Sequence, residues 1–477
     1  MQNRAGELPR ALLIVVIVAA VSALALIAGL RYEGHWFVYL VFTVISNALL
    51  FSGFRKNAIY FDTFIGLFLW FGFWLKLSYR VAFKSGLFRE AVGVFDGSAQ
   101  TFDHALTVSC VGLAAFLLAS FARQRFFCYP SEAPSCARSG LFMFYRTYRL
   151  RFVAVFLLLV VWVSLSNALW GVYQRGMVTQ LILPLGLNGI YKWLLQFGLA
   201  SIAAVIIRFE IELGRSLSVV AVLPTLIEGF LSNVSLLSRG MVLNASAFVV
   251  GGWRLIRAKK LRLKPLGLIA SASAFVALFA FSVFAVNFLR AETLANVKTT
   301  EYAVAVAKDN GPALFIDRWV GIEGVMAVSS SGILGWDLWR EAWGEKFQAG
   351  TLSLYDQRLI DSPYQSPTID KAKHHFVSLP GIIAFFYYPG SLGFLFAGLF
   401  FCGLFAAAVE LLVYRLGGHN WLLCSLLAQV VAFRYASFGY VPAQSYLLFG
   451  TLLVNVLLFF VADQVVRRRF FDDWRGN

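Results

Sequence analysis

ALLIVVIVAAVSALALIAGL, residues 11–30, contains neither a charge nor a proline. At 1.5 Å per residue, a helix of this length covers the roughly 30 Å hydrocarbon core of a bilayer. A backbone in lipid must satisfy its own hydrogen bonds, which a lone helix does and a lone strand does not. The run is longer than the core of a signal peptide, and further runs of the same kind come after it. It is therefore read as a retained span and not as a cleaved leader.

Working outward, comparable runs at 37–54, 59–78, 105–122, 152–171, 188–207, 216–235, 241–253, 266–288, 391–414, 421–437 and 443–463 predict about twelve transmembrane helices in all. Composition agrees. Hydrophobic residues make up 59% of the 477, with 47 Phe, where soluble domains hold roughly 45–50%. The expected fold class is an all-α, polytopic membrane protein with one large, partly helical periplasmic loop. Residues 1–288 would form an N-terminal bundle of about nine spans, 289–390 the loop, and 391–477 a C-terminal bundle with a basic tail. There is no internal repeat and no low-complexity tract.

The net charge is +16. Nucleic-acid binding would need that charge on one face of a soluble domain, whereas here it lies between apolar runs, so no nucleic-acid partner is expected. Basic residues crowd three segments, 122–151, 253–265 and 464–477. Placing all three in the cytoplasm satisfies the positive-inside rule, puts both termini inside and sends 289–390 to the other face. That face is the periplasm if the chain sits in a bacterial inner membrane. The five cysteines (Cys110, Cys128, Cys136, Cys402, Cys424) show neither disulfide nor metal-site spacing. No P-loop, dinucleotide fingerprint or HExxH is present. Neither a metal nor another cofactor is expected, and group transfer must draw on something already in the membrane.

Polar groups on the expected outer side then matter most. FIDRWVGIEGVMAVSSS, 315–331, sets Asp317, Arg318 and Glu323 among glycines and serines. Loops longer than about 12–15 residues are usually functional or disordered, and Trp319, Trp336, Trp339, Trp343 and Tyr355 supply enough apolar surface for this one to order on the membrane face. KLSYRVAFK, 76–84, stacks Lys76, Arg80 and Lys84 on one helical face; the competing reading is snorkelling at the end of a span. Ser238-Arg239-Gly240 joins two spans that hardly pause, and Glu228 lies within the first of them. An ionisable residue in a span is functional by default, with a polar pair inside the bundle as the alternative. His374-His375 suits proton transfer near neutral pH, although solvated loop histidines are common. Arg290 and Arg434 are further cations on this side. Arginines around one pocket suit a pyrophosphate, and a carboxylate or histidine beside them could take the proton of an attacking hydroxyl.

The SRG turn at 238–240, IDRWVGIEGVMAV at 316–328 in one large loop, and His374-His375 ahead of YYPGSLGFLFAGLFF at 387–401 resemble the Wzy-type O-antigen and exopolysaccharide repeat unit polymerases. Those polymerases are similar in architecture to O-antigen ligases and GT-C glycosyltransferases. The resemblance covers most of the chain as architecture and only these three regions as motif. It implies transfer of a growing glycan from undecaprenyl pyrophosphate to a new lipid-linked oligosaccharide, with a flippase and a chain-length regulator as functional partners. Carried onto this sequence, Arg239 and Arg318 would engage phosphate. His374 or His375 would activate the acceptor hydroxyl, with Glu323 and Asp317 as alternative base or orienting groups; Arg80, Lys84, Arg290 and Arg434 stand on the charge argument alone. Ligases and many polymerases carry His-Asn where this chain has His-His-Phe, which leaves open which histidine corresponds. Two other classes compete. A ligase would differ only in its acceptor, and a flippase would line a central cavity with charge and show internal symmetry.

Overall fold

Each apolar run singled out in the sequence is helical, and the reason is local: long stretches of Leu, Phe, Ala and Val bounded by polar caps. The computed structural model describes residues 4–214, 218–238, 240–261, 263–295, 316–365 and 370–475. The first nine helices are α1 (Arg4–Arg31), α2 (Trp36–Ser52), α3 (Tyr60–Phe83), α4 (Ala99–Ala122), α5 (Gly140–Trp170), α6 (Pro184–Glu212), α7 (Val219–Ser235), α8 (Met241–Ala258) and α9 (Pro265–Ala295). Among the described residues, four short helices come next: α10 (Ile322–Ser329), α11 (Trp336–Gly344), α12 (Leu354–Arg358) and α13 (Ile382–Phe386). The chain closes with α14 (Leu392–Leu416), α15 (Trp421–Ala436) and α16 (Ser445–Arg475). Among the described residues the β-type pairing is one antiparallel bridge between Met177 and His374. Among the described residues, seven helices (α3 to α6, α9, α14 and α16) are long and apolar enough to cross a membrane, and four shorter apolar ones lie in α1, α2, α7 and α15. This is the all-helical build of a polytopic membrane protein.

Close packing obeys the rule for helices in lipid, where small residues let backbones approach. A Cβ on Gly403 of α14 would lie 2.7 Å from that of Ala119 on α4, and one on Gly251 of α8 would lie 2.8 Å from that of Ser425 on α15. One hydrophobic core gathers residues from α2, α3, α4, α10, α13, α14 and α15; a second joins α5, α6 and α7.

Two expectations change. The long segment does not simply rest on a membrane face. All eight residues of α10 are buried, and α13 packs into the same core, with Ile383 against Gly112 of α4; α11 and α12 form the more exposed part. The basic stretch 122–151 is also not a loop throughout. Ser139 caps α5 by accepting from Phe142 N at 3.2 Å, so Arg146, Arg149 and Arg151 ride on the helix. Tertiary pairing explains the early start, because Arg149 Nε meets Glu210 Oε1 at 2.5 Å and Tyr145 donates to the same oxygen at 2.8 Å.

Candidate functional site

The end of α3 that faces the 316–390 segment is where the polar groups collect. Its helix carries a π turn over Trp70–Leu75, a wider turn that inserts one residue and re-aims the rest of the helix. Gly72 sits there against the Val320 carbonyl and Gly321, where no side chain would fit. Directly after the π turn, Lys76 is 1% exposed. Its Nζ lies 2.9 and 3.0 Å from the two oxygens of Glu323 and donates to the carbonyls of Asp317 and Trp319. One turn later Arg80 grips Asp317 with two nitrogens, Nε at 3.1 Å, and donates to the Leu87 carbonyl at 3.2 Å. Trp319 stacks on Phe71 and Phe68, ring centroids 5.3 and 5.5 Å away.

This geometry joins residues that the sequence assigned to opposite roles. Arg80, expected on phosphate, holds Asp317, expected as a base. Glu323, expected as a base, is paired with Lys76, which donates to its Oε2 while Oε1 has no hydrogen-bond partner, and burial pushes its carboxyl above the usual range against the pull of that lysine. A buried pair of this kind gives up one partner only at a cost of about 3–5 kcal/mol. These four side chains work first as a clamp between α3 and residues 317–323.

The other expected residues are spread around the same end. Lys84 is exposed just past α3. Arg318 is half-buried within the clamp turn. Arg290, near the end of α9, donates to the Leu237 carbonyl at 3.0 Å. Arg434 donates to the Tyr440 carbonyl at 3.3 Å and covers the Phe438 ring. Arg239 lies outside the described residues. Glu228 is buried in α7, where Ser232 donates to it at 3.1 Å.

The two histidines lie on an extended segment paired with the turn after α5: Val178 N donates to the Lys373 carbonyl at 2.8 Å and His375 N to the Gly176 carbonyl at 3.0 Å. His374 is buried, its ring parallel to Phe376, which stacks in turn on Tyr364. His375 Nδ1 accepts from Gly350 N at 3.2 Å, and Nε2 lies 2.8 Å from the Tyr440 hydroxyl. An Nδ1 that accepts must leave the ring proton on Nε2, so the imidazole is neutral and its proton points at Tyr440. Burial lowers its pKa, and the charge of Asp356 works the other way. A shallow, open cleft with room for little more than one water lies beside both rings, lined also by Thr351, Leu352 and Lys371.

Sequence reasoning passed over three residues here. Asp356 is fully buried; its Oδ2 accepts from Ser353 Oγ at 2.6 Å and from Ser378 N at 2.9 Å, while Oδ1 has no hydrogen-bond partner. Glu345 accepts from Leu354 N at 2.6 Å and Val441 N at 3.0 Å, tying the long segment to the approach of α16, and burial raises its pKa. Tyr440 completes the group. The spacing of SLYD, 353–356, is that of a capping box and would have flagged Asp356. Among the described residues no group of three His, Cys, Asp or Glu gathers as metal ligands. The arrangement thus offers a neutral imidazole with a carboxylate near it, and guanidinium groups on the surrounding elements. Compared with models of protein families, with curated proteins and with solved structures, the chain matches none.

Proposed function

We propose that the chain is a bacterial inner-membrane glycosyltransferase that polymerises undecaprenyl-pyrophosphate-linked oligosaccharide repeat units at the periplasmic face. In this reading all twelve apolar helices cross the membrane, both termini are cytoplasmic, and residues 289–390 face the periplasm. The observation that carries it is the buried clamp of Lys76, Arg80, Asp317 and Glu323. It holds a polar segment inside an apolar bundle, at the end where a neutral histidine and several arginines also lie.

The step is a displacement at the donor sugar's anomeric carbon. The acceptor hydroxyl oxygen forms the new glycosidic bond, the bond to the pyrophosphate oxygen breaks, and undecaprenyl pyrophosphate leaves. His375 takes the hydroxyl proton on Nδ1, which gives up the bond it accepts from Gly350 N while Nε2–H stays on Tyr440, and the Asp356 carboxylate favours the imidazolium that results. Arg318, Arg290 and Arg434 balance the charge that develops on the leaving pyrophosphate. The chain-length regulator and flippase of such a system would act beside it.

Purified protein in detergent, given a lipid-linked repeat unit, is expected to yield longer lipid-linked glycans. A flippase gives none, because detergent has no leaflets to cross. In cells, Arg318→Ala is expected to leave surface glycans of a single repeat unit at normal protein abundance; an unchanged ladder of chain lengths would count against the assignment.

A further inference from the structure

The residue after Tyr440 has an unusual backbone. Val441 is held at φ +44° and ψ +57°, a left-handed conformation in which a β-branched side chain is an outlier. Pro442 follows it, and a residue before proline prefers extended backbone, so the strain is double. Strain of this kind persists only where the surroundings hold it, and it collects at working sites. Here the Val441 side chain is buried and its N–H donates to Glu345 Oε2 at 3.0 Å. Around it, Arg434 Nη2 donates to the Tyr440 carbonyl at 3.3 Å and Gln444 N to the Val441 carbonyl at 3.0 Å.

Glu345 reaches the other flank of His375 as well. Its Oε1 accepts from Leu354 N at 2.6 Å, in the first turn of α12, the helix that carries Asp356. Just beyond Glu345, the Phe347 ring packs on both members of the His375–Tyr440 pair, with centroids 4.9 and 6.5 Å away. One carboxylate therefore fixes, with its two oxygens, the backbone beside Tyr440 and the backbone leading to Asp356.

The proton transfer shows why this matters. The His375 ring has two hydrogen-bond partners, Gly350 N on Nδ1 and the Tyr440 hydroxyl on Nε2. Once Nδ1 takes a proton it is a donor and cannot keep the Gly350 N–H. Tyr440 is the partner that stays, so its position decides how the ring is oriented during the step.

We propose that Glu345 is a positioning residue for His375: by holding Val441 in its left-handed turn, it keeps the Tyr440 hydroxyl on Nε2 and Nδ1 turned to the substrate. The proposal rests on the role of His375 as proton acceptor given above. Glu345 acts through the backbone at Val441 and takes no proton itself.

The test uses the full-length chain in lipid nanodiscs, labelled with 15N-histidine. The proton on His375 Nε2 is followed by NMR above the ordinary histidine range of titration, where the ring is neutral, and is identified as the signal lost in His375→Gln. Held by Tyr440, this proton exchanges slowly and is expected to survive saturation of the water signal. Glu345→Ala is expected to lose it, and so is Tyr440→Phe. Adding Val441→Gly to Glu345→Ala is expected to bring it back, because glycine takes the left-handed turn without help. With a lipid-linked repeat unit as substrate, Glu345→Ala should lower kcat by up to about 100-fold at unchanged KM. A signal that survives in Glu345→Ala while the unfolding temperature falls would mean a brace of the fold alone and overturns the proposal, as does a double variant that fails to recover. Should Glu345→Ala not fold, Tyr440→Phe, which loses only a hydroxyl, decides: a surviving signal there overturns the proposal too. The NMR reading needs no substrate. Loss and recovery in a chain that makes no polymer would sink the functional reading and leave the positioning role; polymerisation by Glu345→Ala at the natural rate would do the reverse.

Discussion

The two ends of α3 make opposite use of buried charge. At its first turn Glu410 accepts from the N–H groups of Tyr60 and Phe61 at 2.9 and 2.8 Å and from the Tyr129 hydroxyl at 2.7 Å, while Asp62 pairs with Arg123. There the charges finish a helix terminus, where bare N–H groups and the helix dipole favour a carboxylate. Arg123 also donates to the carbonyls of Phe127 and Asn57. At the far end Lys76 and Arg80 finish no terminus. They hold down a distant, irregular stretch of chain, with Lys76 supplying donors to carbonyls at 317 and 319 that no helix serves. The same residue types therefore act as a cap at one end and as a latch at the other.

Breaking the latch should have the largest effect. Glu323→Ala leaves the Lys76 ammonium buried without its carboxylate and is expected to cost about 3–5 kcal/mol, read as a large fall in unfolding temperature in detergent. Lys76→Met with Glu323→Leu should restore most of that loss. If the double variant stays as unstable as the single one, the pair is more than a packing device. A smaller effect is expected at the short helix α12, where Ser353→Ala removes a cap worth about 1 kcal/mol and strips Oδ2 of Asp356 of a donor. Reduced transfer activity beyond that loss of stability would tie Asp356 to the chemistry.

His375 gives a pH test. Its pKa is lowered in the fold, so the unfolded chain takes up the proton first, and stability falls as pH drops through the ordinary value of 6.5. The same protonation turns Nδ1 into a donor facing the Gly350 N–H. His375→Gln should flatten this acid loss between about pH 7 and 5.5, as followed by thermal unfolding across that range. Smallest of all is Asp337→Ala. The Arg340–Asp337 pair is 77% and 99% exposed, and no measurable change in unfolding temperature is expected for such a pair.

The helices were legible because a run such as 11–30 or 391–414 has one stable form in lipid. Their ends were less so. The start of α5 at Gly140 depends on Glu210, seventy residues on, and no local pattern carries that. The site was legible as a region more than as a set of roles. The sequence brought Asp317, Arg318, Glu323 and the two histidines to one end, and the fold gathers elements there. It could not reveal that Arg80 and Asp317 would neutralise each other, because ion pairing across 237 positions leaves no trace in spacing. Asp356 was overlooked for the opposite reason: burial and an unmatched oxygen, which single it out, are properties of the folded chain alone.

The widened turn at Trp70–Leu75 has a mechanical meaning. One residue more or fewer there rotates everything beyond it by about 100°, enough to swing both cations of the latch off their carboxylates. Deleting a single residue from that turn should leave the helix intact yet release the tethered stretch, so that α3 acts as a key cut to one angle.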